Sequence, residues 1–461
     1  MNLAGARVLI VGFGISGRGV ADALADSGAY LSLAEDNEWL REQASMRQPG
    51  FWRSGTIAEL RGEAWDLVVV SPGISPEQLG LEPLANRVIG ELELGWLLAD
   101  APITAITGTN GKTTVATLTQ MMLGSDTVLC GNAGVSFAAV AQSKATRYVV
   151  EASSFQLTWA PTFAPTSATW TNFTPDHLDW HGTLEAYRLA KAKLFANLPD
   201  AGTAILNADD AVVEATPLPD GIERRTFSMI GAADYRVTQG SLVGPNEVAL
   251  MPVTSLGRGG PIGISNALAA WASADAAGAD LEQVRDVLEQ FTGLEHRQEL
   301  VGEANGVRYV NDSKATTPVA AAAGITSFAH VVLIAGGRGK GLSFEPMVAA
   351  AEQVRHCVTI GECGSEIGEL FRAHGVSTSD ASSMREAVEM ATAKAHVGDV
   401  VLLAPGAASF DWYDSYAQRG LDFKAVVANI VGKSSVGLAD DRGREASESP
   451  IGSRDEDGEG G

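Results

Sequence analysis

At 461 residues the chain is too long for one compact core, and a hydrophobic content of 45% suits ordinary globular domains rather than disorder. No apolar run approaches the ~20 residues of a membrane span, and "MNLAGARVLIVGFG" enters a strand almost at once, so neither membrane insertion nor a signal peptide is expected. A net charge of -23 argues against a nucleic-acid partner, and it obliges any anionic phosphate ligand to find local cations, helix N-termini or metal ions.

The first part of the chain alternates apolar strands with helical patterns, as parallel α/β folds do. "RVLIVGFGISGRG" predicts a strand, a glycine turn and a helix, and "YLSLAE" and "DLVVVSPGI" predict further short strands. "LADAPITAITG" restarts the pattern, which puts a boundary near Leu94 to Ala99. A second α/β region then carries "RYVVEASSFQL", "ATWTNFTPDHLDWHG" and the helical "LEAYRLAKAKLFANL", and the pair "SNALAAWASADAAG" and "LEQVRDVLEQF" closes it. After "TGLEHRQE" a third alternation runs through "GVRYVNDSKATT", "HVVLIAGGRGKG" and "DVVLLAPGAASFD". The expected architecture is α/β, three domains in series over 1–95, 96–296 and 297–432, followed by an acidic tail over 433–461 that is polar, poor in aromatics and expected to be disordered. Three cysteines, Cys130, Cys357 and Cys363, lack the paired spacing of a zinc site and suit thiols in a reducing cytosol.

"AITGTNGKTT" resembles a phosphate-binding loop, but Ile106 stands where the first glycine of G-x-x-x-x-G-K-[ST] belongs. The loop still falls between an apolar strand and a helix, where the amides of Asn110 to Thr113 can face phosphate oxygens. Gly108 and Gly111 allow a tight turn, Lys112 offers a mobile cation, and Thr113 offers a hydroxyl for Mg²⁺. A plain glycine turn would need neither the lysine nor the two threonines, Thr113 and Thr114. "GFGISG" (Gly12, Gly14, Gly17) fits G-x-G-x-x-G, and Glu35 ends the next strand where a ribose-binding acid of a dinucleotide fold would sit. The motif fits NAD, a nucleotide diphosphate sugar, or a turn with no ligand.

Glu151 follows a buried strand, where a carboxylate requires a charged partner or a metal. A second oxygen ligand for Mg²⁺ is one reading, and a salt-bridged glutamate is the other. In "NFTPDHLDWHG", His177 and His181 are four apart, but Pro175 and Gly182 predict a loop rather than one helical face. "NDSKATTP" brings Asp312, Ser313, Lys314 and Thr316 to the C-terminal end of a strand, where open parallel sheets bind ligands. His296 and Arg297 fall near the second boundary, and Lys340, Ser409, Phe410 and Tyr416 lie in further loops after strands.

Taken in order, "TGTNGKTT", "EASSFQL", "DHLDWHG", "FTGLEHR" and "NDSKATT" resemble the loops of the Mur ligases, from about residue 6 to residue 430. "SPGI" and "AASFDWYDSYAQRG" point to the glutamate-adding member of that family. The resemblance implies a Rossmann-like N-terminal domain, a central P-loop-type ATPase domain with a mostly parallel sheet, and a Rossmann-like C-terminal α/β domain. It further implies ATP-dependent addition of D-glutamate to UDP-N-acetylmuramoyl-L-alanine through an acyl phosphate, in a cytoplasmic monomer making peptidoglycan precursors.

By the same resemblance, Gly14, Ile15, Ser16, Gly17, Ser71, Gly73, Asn132 and His177 bind the UDP substrate. Gly108, Thr109, Asn110, Gly111, Lys112, Thr113, Thr114, Asn266, Arg297, Asp312 and Lys314 bind ATP. Thr316, Lys340, Ser409 and the backbone of Tyr416 receive D-glutamate. Two Mg²⁺ ions are implied, held by Thr113, Glu151, His177 and Lys191, the last matching a lysine that is carbamylated in these enzymes; Lys112, Glu151, His177 and Lys191 form the catalytic set. Carbamylation is chemically sensible there, since CO₂ converts a metal-repelling ammonium into a carboxylate.

The chain departs from the pattern at Arg338, where many relatives are acidic, at "RGGPIGISN" before Asn266, and at Asp36 and Asn37 near the uracil. Competing readings are an NAD-dependent dehydrogenase, which leaves Lys112 and Glu151 unexplained, a GTPase-like switch, which leaves "NDSKATT" unexplained, and a folylpolyglutamate synthase-like or other Mur-type ligase.

Overall fold

The computed structural model describes residues 1–47, 50–60, 62–80, 87–339 and 342–444. Among them the strands form three α/β sheets, and the chain divides into two compact units, Met1–Thr292 and Gly293–Gly461. The first two sheets therefore share a unit, and residues 293–296 fall with the C-terminal one. No helix among the described residues is long and apolar enough to cross a membrane.

The first sheet comprises β1 (Arg7–Val11), β2 (Tyr30–Ala34), β3 (Arg53–Gly55), β4 (Leu67–Val70) and β5 (Val88–Gly90), in the order β3-β2-β1-β4-β5 and wholly parallel. β4 reads LVVV with every residue buried, as expected for a strand covered on both faces. The order reverses between β1 and β4, so the loops after Val11 and Val70 open the crevice where such sheets bind ligands.

The second sheet contains β6 (Ile103–Thr107), β7 (Thr127–Gly131), β8 (Arg147–Glu151), β9 (Ser167–Trp170), β10 (Thr203–Asn207), β11 (Glu223–Ser228), β12 (Tyr235–Thr238), β13 (Ser241–Val243) and β14 (Ala249–Pro252). Their order is β14-β13-β12-β11-β10-β9-β6-β8-β7, parallel except for the β12-β13-β14 meander. The expected helix pair is present as Gly260–Ala276 and Leu281–Gln290, the second capped by the Asp280 carboxylate.

The first and second sheets are joined by polar groups with matched partners. Gly90 N donates to Trp159 O at 2.7 Å, and Trp159 Nε1 donates to Ile74 O at 3.0 Å. Buried Glu93, on the helix Glu91–Leu98, accepts Thr162 N–H on both carboxylate oxygens, at 3.2 and 3.1 Å.

In the C-terminal unit, β15 (Glu299–Ala304), β16 (Val307–Asn311), β17 (Val331–Gly336), β18 (Val354–Ile360), β19 (Ser377–Asp380) and β20 (Val400–Leu403) take the order β15-β16-β20-β17-β18-β19. Only the β15–β16 pair among them is antiparallel. The last helix spans Tyr416–Arg444, so a helix occupies residues 433–444, where disorder was expected. Its earlier turns bury Phe423, Val426 and Val427 in this unit's core. The remainder of the acidic tail lies outside the described residues. The three cysteines are free and buried.

Candidate active site

The phosphate-loop candidate leaves β6 and enters the helix Lys112–Leu123 at Gly111, whose φ of +80° puts it in the left-handed region. A Cβ at Gly111 would stand 2.5 Å from Asn266 Oδ1, so the loop and the helix Gly260–Ala276 meet with no room to spare. Asn110 O accepts Thr171 Oγ1 at 2.8 Å and Asn172 Nδ2 at 3.0 Å, and Asn110 N donates to Asn172 Oδ1 at 2.8 Å. The Thr109 hydroxyl lies 3.1 Å from the Tyr187 hydroxyl. These clamps hold the shortened loop without the missing glycine. Thr114 and Asn266 also line a hollow with Leu118, Arg258, Leu288 and Phe291.

Lys112 Nζ turns back on its own loop and donates to Gly108 O and Thr109 O, both at 2.9 Å. Lys191 is only 1% exposed; its Nζ donates to Gly108 O at 2.6 Å and stands 4.8 Å from the Tyr187 ring centroid. Burial first, and Lys112 second, hold its amine well below the ordinary lysine range. Tyr187 is pushed up to about 12, chiefly by burial.

Because the strand order runs β9-β6-β8-β7, the C-terminal ends of four neighbouring parallel strands carry Asn172, the loop, Glu151 and Asn132. Glu151 is 1% exposed; its Oε1 accepts Asn132 Nδ2 at 2.6 Å, and its Oε2 is buried without a hydrogen-bond partner. An orphaned carboxylate oxygen in such a place suits a divalent cation. Among the described residues no three His, Cys, Asp or Glu side chains gather into a metal cluster. Mg²⁺ rarely uses one, since it keeps water and substrate phosphates as ligands beside one or two carboxylates.

"DHLDWHG" forms a helical turn, Leu178–His181, rather than the expected loop. His177 sits at its start with φ +52°, and the turn closes because His181 N–H reaches His177 O at 3.0 Å. Both imidazoles pack on Phe155, with ring centroids at 4.7 and 5.5 Å. His181 Nε2 lies 2.9 Å from Ser154 Oγ, and His177 Nε2 lies 3.4 Å from Asp176 Oδ2. Trp180 Nε1 approaches Gly73 O at 3.4 Å, tying this turn to the "SPGI" loop.

In the first sheet, Ser71 Oγ donates to Gly12 O at 3.2 Å. A Cβ at Gly17 would collide with Gly12 O, so glycine there lets the helix Ile15–Leu24 pack against the turn. Gly14 precedes that helix with open space around it, and Ile15 beside it is exposed. The Glu35 carboxylate accepts Phe13 N–H at 2.8 Å and Asn37 N–H at 2.9 Å, bracing the glycine loop. Asp36 and Asn37 likewise turn to backbone, accepting Ile57 N–H at 3.0 Å and Leu40 N–H at 3.2 Å.

In the C-terminal unit, β16, β20 and β17 are neighbours and end in the loops that hold Asp312 to Thr316, Ser409 and Arg338. Lys314 Nζ lies 4.1 Å from the Tyr416 ring centroid, and Asp312 Oδ1 accepts Gln298 N–H at 3.3 Å. Thr316 N–H donates to Lys314 O at 2.8 Å, and Ser409 is buried, its carbonyl accepting Tyr413 N–H at 2.9 Å. Arg297 is half-buried; Arg338 pairs with Glu362 at 2.9 Å. Lys340 lies outside the described residues.

Two family models match this chain, the Mur ligase middle domain over residues 106–274 and the Mur ligase glutamate ligase domain over residues 296–407. The sequence is 37% identical to the UDP-N-acetylmuramoylalanine–D-glutamate ligase of Pelotomaculum thermopropionicum, across 92% of this chain and 98% of that protein. It is 35% identical to the protein of the same name from Exiguobacterium sibiricum, across 92% and 97%. The chain belongs to the Mur ligase family. The fold agrees: UDP-N-acetylmuramate-alanine ligase MurC from Thermotoga maritima superposes with a TM-score of 0.56 at 18% identity, covering 92% of this chain and 99% of that one. A pseudomurein peptide ligase type C from Methanothermus fervidus gives 0.57 at 14% identity, covering 92% and 100%.

For a Mur ligase, the site has members that motif reading passed over. Tyr187 and Asn172 hold the loop, and neither lies in a glycine-rich stretch. Arg419, only 1% exposed, donates from Nε to Ser313 Oγ at 3.0 Å and from Nη2 to Ser313 O at 3.0 Å and Ala407 O at 3.1 Å. It thus stitches two loops together, and burial lowers its pKa to about 10. Its only sequence signal was a place inside "AASFDWYDSYAQRG".

Proposed function

We propose that this chain joins D-glutamate to the L-alanine carboxyl of UDP-N-acetylmuramoyl-L-alanine, with ATP converted to ADP and phosphate. The observation that carries the reading is the buried Glu151 carboxylate, with one oxygen unpartnered, beside a Gly-Lys-Thr loop at a helix N-terminus. The acceptor and donor identities are those for which the bacterial relatives are named. On this reading the first sheet takes the uridine diphosphate through Gly14–Gly17, Ser71 and Gly73, while Asn132 and His177 face the sugar-linked peptide. Gly108–Thr114 and Asn266, with Arg297, Asp312 and Lys314, hold ATP. Thr316, Lys340, Ser409 and the Tyr416 backbone receive D-glutamate, and the enzyme works as a cytoplasmic monomer.

Thr113 and Glu151 fit one Mg²⁺; His177 and Lys191, the latter carbamylated, are assigned to a second. Bound Mg²⁺ supplies charge neutralisation at the phosphates. The alanine carboxylate attacks the γ-phosphorus of ATP, the bond to the β-phosphate oxygen breaks, and ADP leaves an acyl phosphate. Lys112 and the amides of the loop steady the transferred phosphoryl charge. The D-glutamate amine then adds to the acyl carbon, loses a proton, and inorganic phosphate departs as the amide forms. Positioning accounts for most of such catalysis, and the clamped loop supports it.

Phosphate release from UDP-N-acetylmuramoyl-L-alanine, ATP and Mg²⁺ should require D-glutamate, with L-glutamate, L-lysine and meso-diaminopimelate inactive. Release that is indifferent to the amino acid, or absent with D-glutamate, would overturn the assignment. Intact mass in bicarbonate buffer tests the Lys191 carbamate: full activity without the CO₂ adduct removes it.

A further inference from the structure

Glu91 opens the helix Glu91–Leu98 immediately after β5, and a carboxylate in a helical first turn ordinarily faces water. This one is 1% exposed. Its Oε1 accepts Ser136 Oγ at 2.7 Å and Ala138 N–H at 2.8 Å, the Gln156 side chain approaches the same carboxyl, and Oε2 is buried without a partner. Ser136 is in turn pressed against Gly19, where a Cβ would collide with its hydroxyl. The two segments that meet Glu91 are those that carry Asn132 and Glu151. Ser136 ends the loop that Asn132 begins, and Gln156 lies in the helix Ser154–Thr158 just beyond Glu151. Asn132 and Glu151 are themselves bonded at 2.6 Å.

Burying a carboxyl group with one oxygen unsatisfied costs more than apolar packing of the same volume. Simple adhesion between the helices therefore does not account for Glu91, whereas fixing the register of two loops does. We propose that Glu91 is a positioning residue: it locks the Asn132 loop against the Glu151 segment, so that the sugar-nucleotide substrate meets a preset pair. The proposal rests on the ligase reading above.

The test is steady-state phosphate release with each substrate varied in turn, for wild type, Glu91→Ala and Glu91→Gln. Glu91→Ala leaves the Ser136 hydroxyl and Ala138 N–H without their acceptor, and should raise KM for UDP-N-acetylmuramoyl-L-alanine by about tenfold while KM for D-glutamate stays within about twofold. Glu91→Gln keeps the accepting oxygen and should restore the nucleotide KM to within about threefold of wild type. An unchanged nucleotide KM in folded Glu91→Ala, or an equal rise for both substrates, overturns the proposal. If Glu91→Ala does not fold, Ser136→Ala replaces it, and an unchanged nucleotide KM there is equally fatal. A wild type without turnover defeats the ligase reading instead; calorimetric titration of UDP-N-acetylmuramoyl-L-alanine into wild type and Glu91→Ala then decides positioning alone, with equal affinity refuting it.

Discussion

Lys112 Nζ and Lys191 Nζ converge on one acceptor, the carbonyl oxygen of Gly108, at 2.9 and 2.6 Å. Two amines on a single carbonyl are a poor final arrangement when both carry charge. Phosphate oxygens bind charged donors more strongly than a peptide carbonyl does. A triphosphate entering the loop therefore has a ready cation to draw away from Gly108.

Lys112→Ala should lower kcat/KM by about 10²- to 10³-fold, the usual loss when one donor to a developing oxyanion is removed. Lys112→Arg should not restore it, because a planar guanidinium does not fit a site shaped for a point charge. Phosphate-release kinetics and thermal unfolding check this together, and near-wild-type turnover in Lys112→Ala removes the residue from the mechanism.

Gly111→Ala forces a side chain into a left-handed residue at φ +80° and against Asn266 Oδ1, 2.5 Å from the new Cβ. The backbone cost alone is about 1–2 kcal/mol. KM for ATP should rise about tenfold, with KM for D-glutamate little changed. An unaltered ATP KM would show that the loop tolerates distortion and that the tight Asn266 approach is incidental.

Asn132→Ala strips Glu151 Oε1 of its 2.6 Å donor. Groups that orient a ligating carboxylate are typically worth about 10- to 100-fold in metal affinity. The Mg²⁺ concentration for half-maximal turnover should rise within that range, and chelation should abolish turnover in both proteins. Superimposable Mg²⁺ titrations would argue that Glu151 does not ligate.

His356 is buried in the C-terminal unit with Nδ1 2.7 Å from Ser377 Oγ and Nε2 2.9 Å from Ser379 Oγ. Burial, then the charge of Lys394, lowers its pKa from 6.5. The unfolded chain therefore takes up a proton that the folded chain resists. Stability from this group is intact above 6.5 and is lost as pH falls through the depressed folded value. His356→Gln should flatten the acid limb of the stability curve by at most about 1.4 kcal/mol per pH unit. Denaturant melts of both proteins across that range measure it, and parallel curves would dismiss the group.

Local chemistry made much of the site readable. Gly108, Gly111, Lys112 and Thr113 are contiguous, so backbone freedom, charge and hydroxyl announce one loop, and Glu151 stands out because it ends an apolar strand. The α/β architecture followed from short apolar runs separated by helical periods, down to the helix pair after Gly260. What stayed hidden depends on contacts between distant segments. Glu91 and Arg419 are charged residues in helices, buried by contacts with Ser136 and Ala138 and with Ser313 and Ala407. Tyr187 and Asn172 face the loop only because their own elements cross beside β6. The turn at Leu178–His181 escaped notice because a flanking proline and glycine are local signals, whereas the packing of both imidazoles on Phe155 is not.

The carboxylates of Glu91 and Glu93 also bear on how this polypeptide could be recombined. Both project from the segment that would form the seam of a graft near residue 95, and the hydrogen bonds they accept come from Ser136, Ala138 and Thr162 on the far side of it. A chimera that exchanged the leading sheet for a homologue's would strand two anions unless those recipients travelled with it. Residues 91 and 93 would therefore have to be exchanged together with residues 136, 138 and 162.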